Sequence, residues 1–154
     1  MENTEKLKSY IQRFIKGETP ASIAFSLIEK DDCDGLAVLI DCGLDLRTNN
    51  YVFTAIDNSA NKCFDLLLEK GANMIAGGRA CNGNMLYYVE PLEYAVLLNN
   101  MNFAKKLVAH GVPLSTQGGI EILRKYRKCI GGENCDILNN ERAKYIQNNP
   151  VVEL

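Results

Sequence analysis

The stretch from Glu90 to Ser115, EPLEYAVLLNNMNFAKKLVAHGVPLS, predicts two short helices joined by a turn. Pro91 can open the first helix, because a proline in the first turn has no hydrogen bond to lose. Apolar residues recur at helical spacing in both halves. Asn99 and Asn100 interrupt them, since asparagine side chains compete for nearby backbone groups. Gly111 suits the left-handed conformation that ends a helix, so the stretch predicts an antiparallel helix pair.

Two upstream segments follow the same plan. Residues 19–48 open with Thr19-Pro20, a helix cap followed by a first-turn proline. Residues 49–89 open with Asn50, which can cap a helix, followed by Tyr51 in place of the proline. The three segments share the spacing of residues before the glycines Gly43, Gly71 and Gly111. The third and fourth residues before each glycine are apolar, and the seventh and eighth are small or apolar. The shared pattern favours three repeated units over an irregular helical bundle with glycine caps.

Two short motifs carry a family resemblance. The segment LLLEKGAN at 66–73 resembles the end of an ankyrin repeat. EPLEYA at 90–95 is similar to that family's T-P-L-H-x-A opening at Pro91, Leu92 and Ala95. Glu90 and Glu93 stand where the family has the threonine and histidine that lock the turn.

The resemblance covers about 20–116 and implies an all-α fold, a short ankyrin-type helix-pair solenoid forming a single domain. We expect residues 1–18 to form an N-terminal capping helix, with Leu7, Tyr10, Ile11, Phe14 and Ile15 on one face, Thr4 as its cap and Gly17 as its stop. A membrane-surface helix is the alternative, but a strongly basic face is lacking. The expected repeats are 19–48, 49–89 and 90–116.

Residues 117–154 are expected to form a degenerate repeat or C-terminal cap. The pattern predicts a helix that starts at Gly118-Gly119, a loop over Ile130–Asn134 and a last helix over Ile137–Gln147. The basic run Arg124–Lys128 is read as a solvated face or as favourable charge near a helix C-terminus. A patch for an acidic partner is the alternative reading.

The spacing of the stop glycines predicts an enlarged finger between the second and third repeats. Family repeats run about 33 residues. Here 28 residues separate Gly43 from Gly71, and 40 separate Gly71 from Gly111. Asn82-Gly83 is a strong hairpin-turn signal, and the five residues from Met85 are compatible with a strand. The extra length therefore predicts a β-like finger.

We expect this finger to contact a protein partner, because long loops on a rigid scaffold tend to carry function and because tyrosine and arginine are frequent at interface hot spots. The expected contacts are Arg79, Met85, Tyr87 and Tyr88. In the rival interpretation, Leu86 and the tyrosines pack onto the first helices as an ordinary insertion.

The resemblance implies further contact residues on the other repeats. They are Asn49, Asp57, Asn58, Leu97 and Leu98. The last two are apolar where the equivalent positions of the earlier repeats are charged or polar, so either the C-terminal segment covers them or they form an apolar contact site.

Composition narrows the class of function. A net charge of −2 argues against nucleic acid as a partner. The sequence has no run long and apolar enough for a membrane span, and six cysteines without a secretory signal indicate a reducing cytoplasm, or a host cytosol for an effector or viral protein. We expect a monomer with no cofactor, no metal and no membrane association.

Candidate catalytic residues are few. His110 is the single histidine and stands at a helix end, and the cysteines lack the paired spacing of a zinc site. We therefore expect a non-catalytic protein-binding module, such as an inhibitor, an immunity protein or a host-directed adaptor or effector. The alternative is an enzyme with a cryptic site on a helical scaffold.

Overall fold

The structure is a computed structural model that describes residues 2–82 and 85–150, without the side chains of Glu2, Asn82 and Met85. This part of the chain is mostly helical, as predicted, with one small two-stranded sheet. The elements are α1 (Glu2–Ile15), α2 (Pro20–Glu29), α3 (Cys33–Asp41), α4 (Tyr51–Asp57), α5 (Asn61–Glu69), β1 (Gly78–Asn82), β2 (Met85–Val89), α6 (Pro91–Leu97), α7 (Met101–Ala109) and α8 (Ile122–Asn148).

The chain divides into two compact units. The first, Met1–Ala76, holds α1 to α5, and the second, Gly77–Leu154, holds the sheet and α6 to α8. Each unit has buried apolar residues from its own helices, such as Ile23 and Leu67 in the first and Leu92 and Leu107 in the second.

The three predicted helix pairs, α2/α3, α4/α5 and α6/α7, share one backbone plan. Each pair turns at a non-glycine residue in the left-handed region, namely Asp31 (φ 52°), Ser59 (φ 53°) and Asn99 (φ 54°). Aspartate and asparagine tolerate this region better than most residues. A left-handed glycine ends each second helix twelve residues later, at 43, 71 and 111. The predicted turns and glycine stops are therefore confirmed.

In the first unit, α1 is attached to α3 through Tyr10. The Tyr10 hydroxyl donates a buried hydrogen bond of 2.8 Å to the carbonyl of Gly35. A Cβ at Gly35 would lie 2.9 Å from that hydroxyl oxygen, so glycine permits the close approach. The stop predicted at Gly17 is confirmed by its φ of 96°. The predicted cap at Thr4 is wrong, because α1 already begins at Glu2.

Asp31 also ties the first helix pair to the second within this unit. Ala60, at the N-cap of α5, has no side-chain oxygen to accept a hydrogen bond from the helix start. The Asp31 carboxylate takes that role, accepting from the backbone N–H of Cys63 at 2.9 Å. A turn residue of one pair therefore caps a helix of the next.

Much of the apolar face of α1 lies at the surface. Tyr10 is only 5 % exposed, but its apolar neighbours on the helix remain accessible to solvent. They are Leu7 (37 %), Ile11 (54 %), Phe14 (39 %) and Ile15 (80 %). We call these four side chains the α1 stripe.

In the second unit, α8 packs against both α6 and α7. The break predicted over Ile130–Asn134 is confirmed in place but not in length, because only Gly131 (φ 84°, ψ 161°) departs from helical geometry, as a kink between two helical segments. Helical geometry resumes directly after Gly131, and the side-chain amide of Asn134 donates a hydrogen bond of 2.8 Å to the carbonyl of Ile130. The predicted helix start at Gly118-Gly119 is also wrong, because α8 begins at Ile122.

None of the helices in the described residues is both long enough and apolar enough to span a bilayer.

Candidate functional site

The two strands β1 and β2 form an antiparallel hairpin in the position where the finger was predicted. Gly78 pairs with Val89 and Asn82 pairs with Met85 at the two ends of the ladder. The predicted turn at Asn82-Gly83 is not settled, because residues 83 and 84 lie outside the described part of the chain. What is confirmed is a two-stranded β-hairpin in this stretch of the chain.

Gly77 fixes the base of this hairpin. A Cβ at this position would lie 2.0 Å from the carbonyl oxygen of Val89, which no other residue type could satisfy without moving the backbone. The backbone N–H of Gly77 also donates to the Tyr88 hydroxyl at 2.9 Å. The glycine therefore lets the incoming strand run close against the outgoing one and anchors the ring of Tyr88.

The hairpin has one covered face and one open face. Successive strand residues point to opposite faces, and directly opposed residues share a face. Ala80 (4 % exposed) and Val89 (0 %) lie on the covered face. The register pairs Arg79 with Tyr88 and Cys81 with Leu86, and these four side chains form the other face, which we call the open face.

The open face presents large apolar and aromatic groups to solvent. Leu86 is 64 % exposed and Tyr88 is 65 % exposed, and Arg79 and Cys81 are exposed beside them. Opposed side chains on one face of an antiparallel pair are separated by roughly 5 Å at Cβ, so the four groups form one continuous patch. The patch therefore combines a cation, an aromatic ring and an aliphatic group, and the hydrogen-bonded backbones of β1 and β2 hold them in place.

The structure separates the four finger residues predicted from sequence. Arg79 and Tyr88 lie together on the open face, and Tyr87 lies half-buried on the covered face with Ala80. The side chain of Met85 lies outside the described residues. Sequence reasoning assigned Leu86 only a packing role and gave Cys81 no place in the finger, although the period-two alternation of a strand would have grouped both with Arg79 and Tyr88.

The predicted contact residues of the first unit lie elsewhere. The Asn49 amide donates to the Tyr51 hydroxyl at 3.2 Å, beside an apolar groove of about 410 Å³ that both residues help to line. Asp57 and Asn58 are exposed at the end of α4, where the Asn58 amide donates to the Thr54 carbonyl at 2.9 Å.

Leu97 and Leu98 have different environments in the second unit. Leu97 is half-buried, whereas Leu98 at the C-cap of α6 remains 49 % exposed. The interpretation that the C-terminal segment covers both residues is therefore wrong for Leu98, although α8 does pack against α6.

Two glutamates at the start of α6, Glu90 and Glu93, are both bound by the C-terminal segment. Glu90 Oε2 accepts from the backbone N–H of Gln117 at 2.9 Å. Glu93, only 4 % exposed, accepts from the Tyr126 hydroxyl at 2.6 Å and from Lys125 Nζ at 3.1 Å. Burial and the bond to Glu93 raise the pKa of Tyr126 to about 12. This arrangement fastens α8 to the start of α6.

Potentially reactive groups occupy structural positions. His110 Nδ1 lies 2.9 Å from the Lys106 carbonyl at the end of α7, in keeping with its predicted place at a helix terminus. Burial, with the nearby Asp31 carboxylate, raises the pKa of the Cys63 thiol to about 12, so it stays protonated near neutral pH. Among the described residues, no three histidine, cysteine or acidic side chains are grouped as metal ligands would be.

Comparisons with known proteins give no assignment. No protein-family model matches the chain, and no curated protein matches it.

Proposed function

We propose that this chain is a non-catalytic protein–protein interaction module of the ankyrin type, which binds a protein partner through the open face of its hairpin. The recurring helix pairs, each with a left-handed turn residue and a left-handed glycine twelve residues later, support the ankyrin-type reading. The hairpin occupies the sequence position between two such pairs, where fingers of that family stand.

The observation that carries the proposal is the exposure of Leu86 and Tyr88 side by side with Arg79. Exposing two large side chains to this extent is unfavourable unless another surface covers them, and contiguous apolar patches rimmed by polar groups mark interaction sites. Tyrosine and arginine supply much of the binding energy in protein interfaces. The same ladder holds all of these groups in place before a partner arrives, which lowers the entropic cost of binding.

The proposed partner is a protein, and the roles that fit are those of an inhibitor, an immunity protein or an adaptor acting in a cytoplasm. The net charge of −2 supports a protein partner over a nucleic acid, because binding to phosphates needs a basic surface. The open face contributes one cation to the contact, so we expect an acidic group on the partner opposite Arg79.

The test is capture of a partner from the cells that make this chain, with the full-length protein immobilised. We expect the wild-type chain to retain a stoichiometric protein and the Leu86→Ser variant to lose it. Ile146→Ser is the matched control, because Ile146 is 53 % exposed on α8 and is not part of the hairpin. The proposal would be contradicted if Leu86→Ser and Ile146→Ser retained the partner equally, or if the wild-type chain retained no protein.

A further inference from the structure

The two segments of α8 line a cavity together with the loop that precedes them. Gly131 separates a first segment, 122–130, from a second, 132–148. Twelve residues of a continuous helix would span about 18 Å. The Cys135 thiol nevertheless lies within 4.0 Å of the Leu123 carbonyl oxygen. The second segment therefore folds back along the first, and side chains far apart in the sequence meet between them.

This cavity, which we call the α8 cavity, has the size and the mixed lining of a small-ligand site. Its volume is about 410 Å³, within the usual range for such sites. Part of the lining is apolar and comes from Pro113, Leu114 and Leu123. The polar part of the lining is made up of Ser115, Glu121, Arg124, Asn139 and Arg142.

We propose that the α8 cavity binds a phosphomonoester carried on a small apolar group. Arg124 and Arg142 supply two cations to one cavity, and a phosphomonoester carries about two negative charges near neutral pH. Planar guanidinium groups bind phosphate oxygens through paired N–H donors, and the Asn139 amide and the Ser115 hydroxyl offer further donors. A carboxylate has one charge and two oxygens, so it would leave more of these donors unbonded.

Arg142 is held in place by the fold before a ligand arrives. Its Nη1 donates to the Gly111 carbonyl at 3.2 Å, and its guanidinium carbon lies 5.4 Å from the centre of the Tyr145 ring. A guanidinium has five N–H donors, so this one hydrogen bond leaves most of them for a ligand. Within the described part of the chain, Arg142 takes part in no ion pair. A side chain fixed in this way lowers the entropic cost of binding.

Arg124 is accessible and only loosely paired. Its side chain is 87 % exposed, and Nη1 lies 3.8 Å from a carboxylate oxygen of Glu121, which is too far for a hydrogen bond. The Glu121 side chain is 69 % exposed, so it can turn into solvent when a phosphate takes its place. The first segment of α8 also carries Lys125, Arg127 and Lys128 and no acidic residue. The field along this segment is therefore positive and attracts anions.

Nuclear magnetic resonance of the isotopically labelled full chain, titrated with phenyl phosphate, tests the proposal. We expect saturable shifts of the Nε–H signals of Arg124 and Arg142. Benzyl alcohol, which has a similar ring but no phosphate, leaves these signals unchanged. Phenylacetate, which carries a carboxylate instead, binds more weakly by about fivefold or more, because it has fewer acceptor oxygens and half the charge.

Substitutions separate the cavity from the general charge of α8. Arg124→Gln weakens binding of phenyl phosphate by about tenfold. Arg142→Lys keeps the charge but loses the planar group of donors, so it causes a smaller loss. Arg127→Gln is the matched control, because it makes the same change of charge on the same segment outside the cavity lining, and it weakens binding by less than about twofold. Circular dichroism of each variant verifies that the fold is intact.

A phosphotyrosine peptide, titrated in parallel, distinguishes two sources of the phosphomonoester. If the ligand is a phosphorylated side chain, the peptide binds at least as tightly as phenyl phosphate. If the ligand is a free small molecule, the peptide binds more weakly, because the flanking residues do not fit the cavity.

Three results would overturn the proposal. One is the absence of saturable shifts with phenyl phosphate. Another is phenylacetate that binds as tightly as phenyl phosphate, which would assign the cavity to carboxylates. The third is an equal loss of affinity in Arg124→Gln and Arg127→Gln, which would show that the general positive field of the segment attracts the ion and that the cavity does not bind it.

Discussion

Replacing Tyr126 with phenylalanine removes one buried hydroxyl and keeps the ring. Tyr126 is 6 % exposed, and its hydroxyl donates to the carboxylate of Glu93, which is 4 % exposed. Hydrogen bonds to charged groups contribute about 1.5–3 kcal/mol. The short 2.6 Å distance favours the upper part of that range. In the variant, Lys125 alone partners a carboxylate that remains buried, so we expect the free energy of unfolding to fall by roughly 2 kcal/mol.

The same hydroxyl makes stability depend on pH in the alkaline range. The pKa of Tyr126 is about 12 in the folded chain against an ordinary value of 10.0. Because the folded pKa is raised, the contribution of the protonated hydroxyl is fully present below pH 10 and is lost as the pH rises through 12. The loss reaches roughly 2–3 kcal/mol for the wild-type chain, and the phenylalanine variant lacks it.

Urea unfolding followed by far-ultraviolet circular dichroism measures both effects. Tyr145→Phe, also on α8, is the control, and we expect it to change stability by less than about 0.5 kcal/mol. A double-mutant cycle with Glu93→Gln isolates the pairwise contribution of the bond. Equal stabilities of Tyr126→Phe and Tyr145→Phe at neutral pH, or additive effects in the cycle, would show that the bond between Tyr126 and Glu93 does not stabilise the fold.

Three further substitutions or modifications test the fold. In urea unfolding, Gly111→Ala should lower the free energy of unfolding by at least about 1 kcal/mol more than Gly43→Ala does. Both glycines are left-handed, but only at Gly111 would a Cβ lie 2.6 Å from the Tyr145 ring, so equal losses would contradict this packing. Asp31→Ala should cost about 1–2 kcal/mol, because it removes the cap of α5 and places alanine at a left-handed φ, and no loss in the same assay would refute the cap. Cys63 should resist iodoacetamide in the folded chain at neutral pH and react after unfolding, as mass spectrometry can follow; rapid native labelling would show that its thiol is neither buried nor protonated.

Local signals were sufficient for the helix pairs. Proline at a helix start, asparagine or aspartate at the turn and glycine at the stop each act through the backbone of one or two residues, so the sequence reveals them directly. The turn at Asn99 and the stop at Gly111 are examples. The loop predicted around Gly131 was too long, because one glycine at a φ of 84° is enough to separate two helical segments.

Long-range partners were beyond the reach of these signals. Glu93 gives no local signal of its partner, because only the fold brings Tyr126 to it from 33 residues away. Periodicity identified the apolar face of α1 correctly, but it does not say what covers that face, and Ile11 and Ile15 lie exposed. In the hairpin, Arg79 and Tyr88 were predicted as contacts from their residue types alone. Which side chains share a face with them follows only from the register of the two strands, which the sequence does not show.

We propose above all that the open face of the hairpin contacts a protein. A photo-crosslinking amino acid at position 86, introduced in the cells that make this chain, tests it most directly, with position 146 as the control. We expect one dominant protein adduct from position 86, lost when Tyr88→Ala is added, and none from position 146. No adduct from position 86, or the same adducts from both positions, would contradict it.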